Sequence, residues 1–156
     1  MIDETGNIDE RRLMIPALAG LYRRLAPLSY AFIRVLVGAL FLPIGIDKLF
    51  FGGAARIAAG NILRLGVEPP LAWAWTVAGL EFFGALLLML GLFTRPVAFI
   101  MSGEMAFAYF ISHAPRNFYP LLNGGDAAVL FCFIFFYFAF AGAGPLSLDA
   151  AWRKQA

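Results

Sequence analysis

Cysteine and histidine are nearly missing from this 156-residue chain, which has one of each, Cys132 and His113. A lone cysteine excludes an internal disulfide framework and any Cys-x-x-Cys exchange site. A lone histidine excludes a bis-histidine haem and leaves a histidine-cluster metal site without ligands. No P-loop, Rossmann glycine pattern or nucleophile elbow occurs in a credible context, so there is no haem, flavin or metal signature. Charge is scarce as well, at 14% of residues, where soluble domains have about 25%. The net charge of +2 comes from arginines near apolar segment ends and does not suit nucleic-acid binding. No repeat of fixed period is evident. The leading MIDETGNIDERR is acidic before it is basic and lacks a positive n-region running into a short apolar core, so no cleaved signal peptide is expected and the first span should direct insertion.

What the chain does have is apolar surface: 62% hydrophobic residues and a mean hydropathy of +0.79. Its length suffices for about four membrane spans of ~20 residues with connections. The reading is an all-α polytopic membrane protein, a four-helix antiparallel transmembrane bundle with spans at about 28–46, 71–93, 96–112 and 127–144. Residues 1–27 precede the bundle. There Met14, Leu18, Leu21 and Leu25 share a helical face, with Arg11, Arg12, Arg23 and Arg24 elsewhere, which fits an N-terminal interfacial helix or a tail carrying topogenic charge, broken by Pro27. The transmembrane unit runs to residue 145, and 146–156 form a tail. In GLFTRP, Gly91 ends a helix and Thr94 caps the next, so spans two and three form a tight hairpin. Asp126 caps the last span, and residues 49–70 hold a short amphipathic connector helix. Arg11, Arg12, Arg23, Arg24, Arg95, Arg153 and Lys154 outnumber Lys48, Arg56, Arg64 and Arg116, which puts both termini in the cytoplasm.

Three residues are charged at membrane depth: Arg34, Glu81 and Glu104. Each is costly there and calls for an inward aim and a partner. Ala78, Gly84 and Ala85 share a face with Glu81, and Gly38 lies one turn from Arg34, small residues of the kind found where membrane helices approach closely. An Arg34–Glu104 or Arg34–Glu81 ion pair is expected, either as a purely orienting contact or leaving the second carboxylate as a proton carrier or hydrogen-bond donor to a polar ligand head. At the outer end, HAPRNFYPLLNGGD supplies His113, Arg116 and Asn123 beside Phe118 and Tyr119, suited to a quinone ring or a partner protein, or to a plain aromatic belt and turn. The phenylalanines at 131, 133, 135, 136, 138 and 140 read as lipid-facing or packing residues.

Taken together, the stretch from Arg34 to Lys48 with GIDKLF, LEFFGALLLMLGLFTRP, GEMAFAYFISHAPRNFYPLLNGGD and GAGPLSLD resemble the DoxX family of small four-helix membrane proteins over residues 28–149. The matching polar positions are Arg34, Lys48, Glu81, Arg95, Glu104, His113, Asn123 and Asp149. Asp126 departs from the family, many members having glutamate there. The resemblance implies a bacterial inner-membrane protein associated with oxidoreductase systems, some of them quinone-linked. The expected function is therefore the membrane subunit of a quinone-linked oxidoreductase, with Glu81 and Glu104 managing protons under the influence of Arg34. Electrons would come from a protein partner. The rival readings are a membrane scaffold for soluble redox partners or a small-molecule carrier, and homo-oligomers are compatible with each.

Overall fold

The computed structural model describes residues 13–154. The acidic leader and the arginines at positions 11 and 12 lie outside that range, so the expectations resting on them are not addressed by it. Among the described residues every regular element is helical. A 3-10 turn, Pro16–Leu18, leads into α1, Ala19–Phe50; α2, Gly53–Ile57, continues as a π-helical turn, Ala58–Ile62. Then come α3, Pro70–Leu90, and α4, Thr94–Ala108, extended by a second π turn, Tyr109–His113. Finally α5, Pro120–Asn123, α6, Asp126–Ala141, and α7, Leu148–Arg153, complete the chain.

Pro27 does not break the first helix, as the sequence suggested it would. α1 passes through it and through Pro43 without interruption, so residues 19–27 extend the first long helix. A proline removes one backbone donor from the helical ladder, a loss the flanking turns absorb when the rest of the helix is as apolar as this one. The connector helix is present, with Gly53, Ala54 and Ala58 buried.

α1, α3, α4 and α6 share one apolar core: Val37 and Phe41, Ala85 and Leu88, Ala98, Met101 and Met105, and Phe135, Phe138 and Ala139. Close approaches fix the directions. Gly38 sits against Ala85 and Met89, and Gly45 against Glu81 and Phe82, so α1 and α3 are antiparallel. Gly84 meets Met101 across the α3–α4 hairpin. The Ser102 hydroxyl donates to the Cys132 carbonyl at 2.9 Å, and Arg95 reaches the Phe140 carbonyl at 2.7 Å, so α4 and α6 are also antiparallel. Phe41 closes the ring by edge-to-face packing on Phe131 and Phe135, with centroids 5.1 and 5.3 Å apart. Of the six phenylalanines of α6, Phe135 and Phe138 are buried, while Phe133, Phe136 and Phe140 face outward.

Two stretches, Pro16–Phe50 and Pro70–Leu90, are long and apolar enough to cross a bilayer, with mean hydropathies of 1.9 and 1.6. Only 22% and 33% of those windows are buried inside the protein. The core helix of a soluble protein would be mostly covered, whereas here the outward surface is phenylalanine and leucine, a surface matched to lipid.

The α1–α3 contact depends on missing side chains. A Cβ at residue 45 would stand 2.6 Å from the backbone nitrogen of Phe82. One at Gly79 would meet nothing within 4 Å. Gly45→Ala is expected to destabilise the protein by about 1–3 kcal/mol, the usual cost of overpacking, and Gly79→Ala to be neutral or slightly stabilising. Unfolding in mild detergent measures both.

Candidate functional site

The hairpin between α3 and α4 is built by backbone geometry. Gly91 closes α3 in the left-handed region at φ 67°, and Phe93 follows at φ 50°. A glycine takes that conformation at no steric cost. Because the turn is so short, residues equally far from it on the two helices come to the same level. Glu81 and Glu104 are such a pair, and their carboxyl groups interact.

Arg34 joins neither of them. Its guanidinium donates to the backbone carbonyl of Ala143 and, at 2.6 Å, to that of Leu146. The expected Arg34 ion pair is therefore replaced by a different one, for a simple reason. Arg34 lies beside Gly91, at the turn, whereas Gly45 is the α1 residue beside Glu81. Eleven residues of helix separate those levels by about 16 Å, more than an arginine side chain spans. Anchoring the first span at Leu28 had placed Arg34 too far from the turn.

The cation that meets Glu81 is Lys48. Its ammonium contacts Glu81 Oε1, with the Lys48 side chain 17% exposed and that of Glu81 only 2%. The other three carboxylate oxygens, Glu81 Oε2 and both of Glu104, are buried without a hydrogen-bond partner. A buried carboxylate oxygen without a donor is costly, and here the two acids have, beside Lys48, only each other to face. Around them the environment is asymmetric. Towards Gly91 lies the full apolar core. Towards the end of α1 lies a smaller cluster, Ala54, Ala58, Ala74 and Ala78 with Leu49, Ile57 and Ile62 packed on it, together with Lys48 and the exposed Asp47–Arg56 ion pair.

The outer residues predicted to hold a ligand form a different structure. Asn123, 5% exposed, donates to the Asn117 carbonyl at 2.6 Å and, at 3.4 Å, to the Tyr109 hydroxyl, and accepts from the Gly125 N–H at 2.7 Å. Tyr109 in turn donates to the Phe118 carbonyl. His113 stacks on Tyr109, and Arg116 Nη2 stands 3.1 Å from His113 Nδ1. The same Nδ1 stands 3.3 Å from the Asn123 carbonyl; the arginine contact uses it as an acceptor and the carbonyl contact as a donor, so the two belong to different tautomers. The three are brought together around His113 Nδ1, and the Asn123 amide fastens the 114–125 loop, while Arg116 stays exposed.

A second polar cluster closes the Gly91 end. Asp149 accepts from the N–H groups of Phe93 and Thr94 at 2.8 and 2.9 Å, and its own N–H donates to Gly91. Asp149, rather than Thr94, thus caps α4. Thr94 Oγ1 is buried without a partner. Asp126 makes no cap bond either, being the first residue of α6, behind Gly125. Tyr30 donates to the Gly142 carbonyl at 2.5 Å. With Arg34 and Arg95 also placed on carbonyls at and just beyond the C-terminus of α6, cations meet the negative end of that helix. The 142–153 segment is accordingly docked, not a free tail.

These features define a helical membrane protein with a buried acid pair set between its second and third long helices. The DoxX family pattern matches residues 29–114, and the chain belongs to that family. It is similar to a Haemophilus influenzae protein described only as uncharacterized, 41% identical over 133 residues, which cover 83% of this chain and 94% of the relative. No solved structure matches it.

Sequence reading found both acids but gave them the wrong cation. In the sequence Lys48 reads as an outer-side charge and a position shared with the DoxX family, not as a partner of the acids, although the near-equal spacing of Glu81 and Glu104 from the GLFTRP turn already carried their pairing. Lys48→Met removes the one cation from a buried carboxylate pair and is expected to cost about 3–5 kcal/mol. Adding Glu81→Gln should recover most of that. A double-mutant cycle in detergent reads the coupling, and additive losses would refute the pairing.

Proposed function

We propose that this protein is a four-span membrane subunit of a quinone-linked oxidoreductase, and that Glu81 and Glu104 take up and release a proton for it. One observation supports this reading above the rest: three carboxylate oxygens, buried beside a single lysine, have no partner. Two carboxylates facing one ammonium carry one negative charge too many for an apolar interior, and a single proton held between them removes it. Lys48 then holds Glu81 in place and Glu104 is the freer acid. Arg34 has a structural task, fixing the Gly91 end.

The same unpartnered oxygens fit a quinone, which when bound would accept the electron pair supplied by a protein partner. A protonated carboxyl can donate to a quinone carbonyl. Glu104 and Glu81 are better placed for that than Asn123, whose amide donors are engaged in the loop. Proton exchange runs to the Lys48 end, because towards Gly91 the core is apolar apart from the Ser102 hydroxyl, which is engaged with the Cys132 carbonyl, and the buried Thr94 at the turn. We place the Gly91 end in the cytoplasm of a bacterial inner membrane, since Arg23, Arg24, Arg95, Arg153 and Lys154 gather there.

The protein purified in native lipid should carry extractable quinone, detected by mass spectrometry. It should also show a protonated-carboxyl infrared band that Glu104→Gln removes. Quinone content should fall in Glu81→Gln and Glu104→Gln, with oxidoreductase activity of native membranes reduced at least tenfold. Wild-type protein free of quinone, together with unchanged membrane activity in both variants, would overturn the proposal.

A further inference from the structure

A cavity of about 410 Å³ opens at the Gly91 end, away from the acid pair, between the start of α4 and the docked α7. Its polar wall has two guanidiniums, Arg95 and Arg153. Arg95 uses Nη1 on the Phe140 carbonyl, and Arg153 uses Nε on the Asp149 carbonyl. Among the described residues no carboxylate pairs with either. Asp149 also lines the cavity, yet both its oxygens are taken by the backbone N–H groups of Phe93 and Thr94. It balances the start of α4, and among the described residues neither arginine has a carboxylate of its own.

The remaining wall is apolar and aromatic. Phe93 and Trp152 meet edge to face with centroids 6.0 Å apart, both more than half exposed. From this rim the surface continues up α4 through Phe99 and Ile100, which are also exposed. A cationic recess thus passes directly into a stripe fit for a hydrocarbon chain, at the end of the molecule where Arg23, Arg24 and Lys154 add further positive charge.

We propose that this cavity binds the headgroup of an anionic phospholipid. Its phosphodiester lies between Arg95 and Arg153, its glycerol backbone against Phe93 and Trp152, and one acyl chain along Phe99 and Ile100. Arginine is suited to the phosphate because its planar fork donates two parallel hydrogen bonds. Tryptophan is suited to the boundary because its ring tolerates both headgroup and chain. A free phosphate would leave the aromatic rim unused. A zwitterionic headgroup would bring a quaternary ammonium towards two guanidiniums. Basic pockets at this depth take anionic headgroups in other membrane proteins.

The test is native mass spectrometry of the full chain in mild detergent, titrated with phosphatidylglycerol, phosphatidylcholine or inorganic phosphate. Phosphatidylglycerol should bind about tenfold or more tightly than phosphatidylcholine. Arg153→Gln and Arg95→Gln should each weaken it about fivefold, with the double variant weaker still. Arg153 is exposed and remote from the core, so its variant keeps the test decisive even if Arg95→Gln unfolds. Inorganic phosphate at the same concentration should leave lipid binding unchanged. Equal binding of the two lipids, undiminished binding by Arg153→Gln, or displacement by inorganic phosphate would each overturn the proposal.

Discussion

A carboxylate removed from water must find a cation or a proton, and the arrangement of this bundle follows from how Glu81 does so. Lys48 reaches it only because α1 continues past Gly45, where the two backbones touch, so that the lysine stands about one turn beyond the acid. The contact and the ion pair therefore require the same register between α1 and α3. Slipping the helices by one turn would separate the charges and drive Gly45 away from the one place where its missing side chain is needed. In lipid, where helix association gains nothing from expelling water, such a combination of close approach and polar pairing is what specifies a register.

The second acid is placed by a different device. Glu104 has no cation of its own; it is carried to Glu81 by the short turn at Gly91, which Asp149 locks from the far end of the chain. The charged groups of the protein are thus sorted by task. At the Gly91 end, arginines and Asp149 satisfy backbone groups at helix termini, where dipoles and capping give charge a favourable setting. At the level of Glu81, charge meets charge with oxygens left over. Between the two lies a core of aliphatic and aromatic side chains in which the Ser102 hydroxyl is bonded to the Cys132 carbonyl.

Much of this was legible in the sequence because membrane helices announce themselves by composition: the long apolar runs, the GLFTRP turn, and the inward aim of Glu81 inferred from Ala78, Gly84 and Ala85. The failures have separate origins. Pro27 reads as a break because a proline usually ends a helix in water, yet α1 runs through it. Setting Leu28 level with the turn raised Arg34 towards the acids, whereas Arg34 itself lies beside Gly91 and Lys48 is the cation at Glu81. Asp149 was out of reach for another reason, since nothing local says that a residue some 55 positions downstream will cap α4. His113, Arg116 and Asn123 were rightly seen as neighbours. Only the structure says whether neighbouring polar groups face a ligand or each other.

The contrast between those two polar clusters is the strongest ground for choosing between them. Around Asn123 nearly every donor has an acceptor, so the loop gains rigidity and has little left to offer a ligand. Around Glu104 the reverse holds: the helices are packed, and its carboxyl oxygens are buried with no donor among the described residues. A fold that needed only stability could replace Glu104 with an apolar residue of similar volume at no cost to packing. An acid at that depth, opposite another acid whose cation is already engaged, adds nothing to packing that leucine or methionine would not supply, and that is the ground on which the proposed proton exchange is assigned to Glu104 and Glu81.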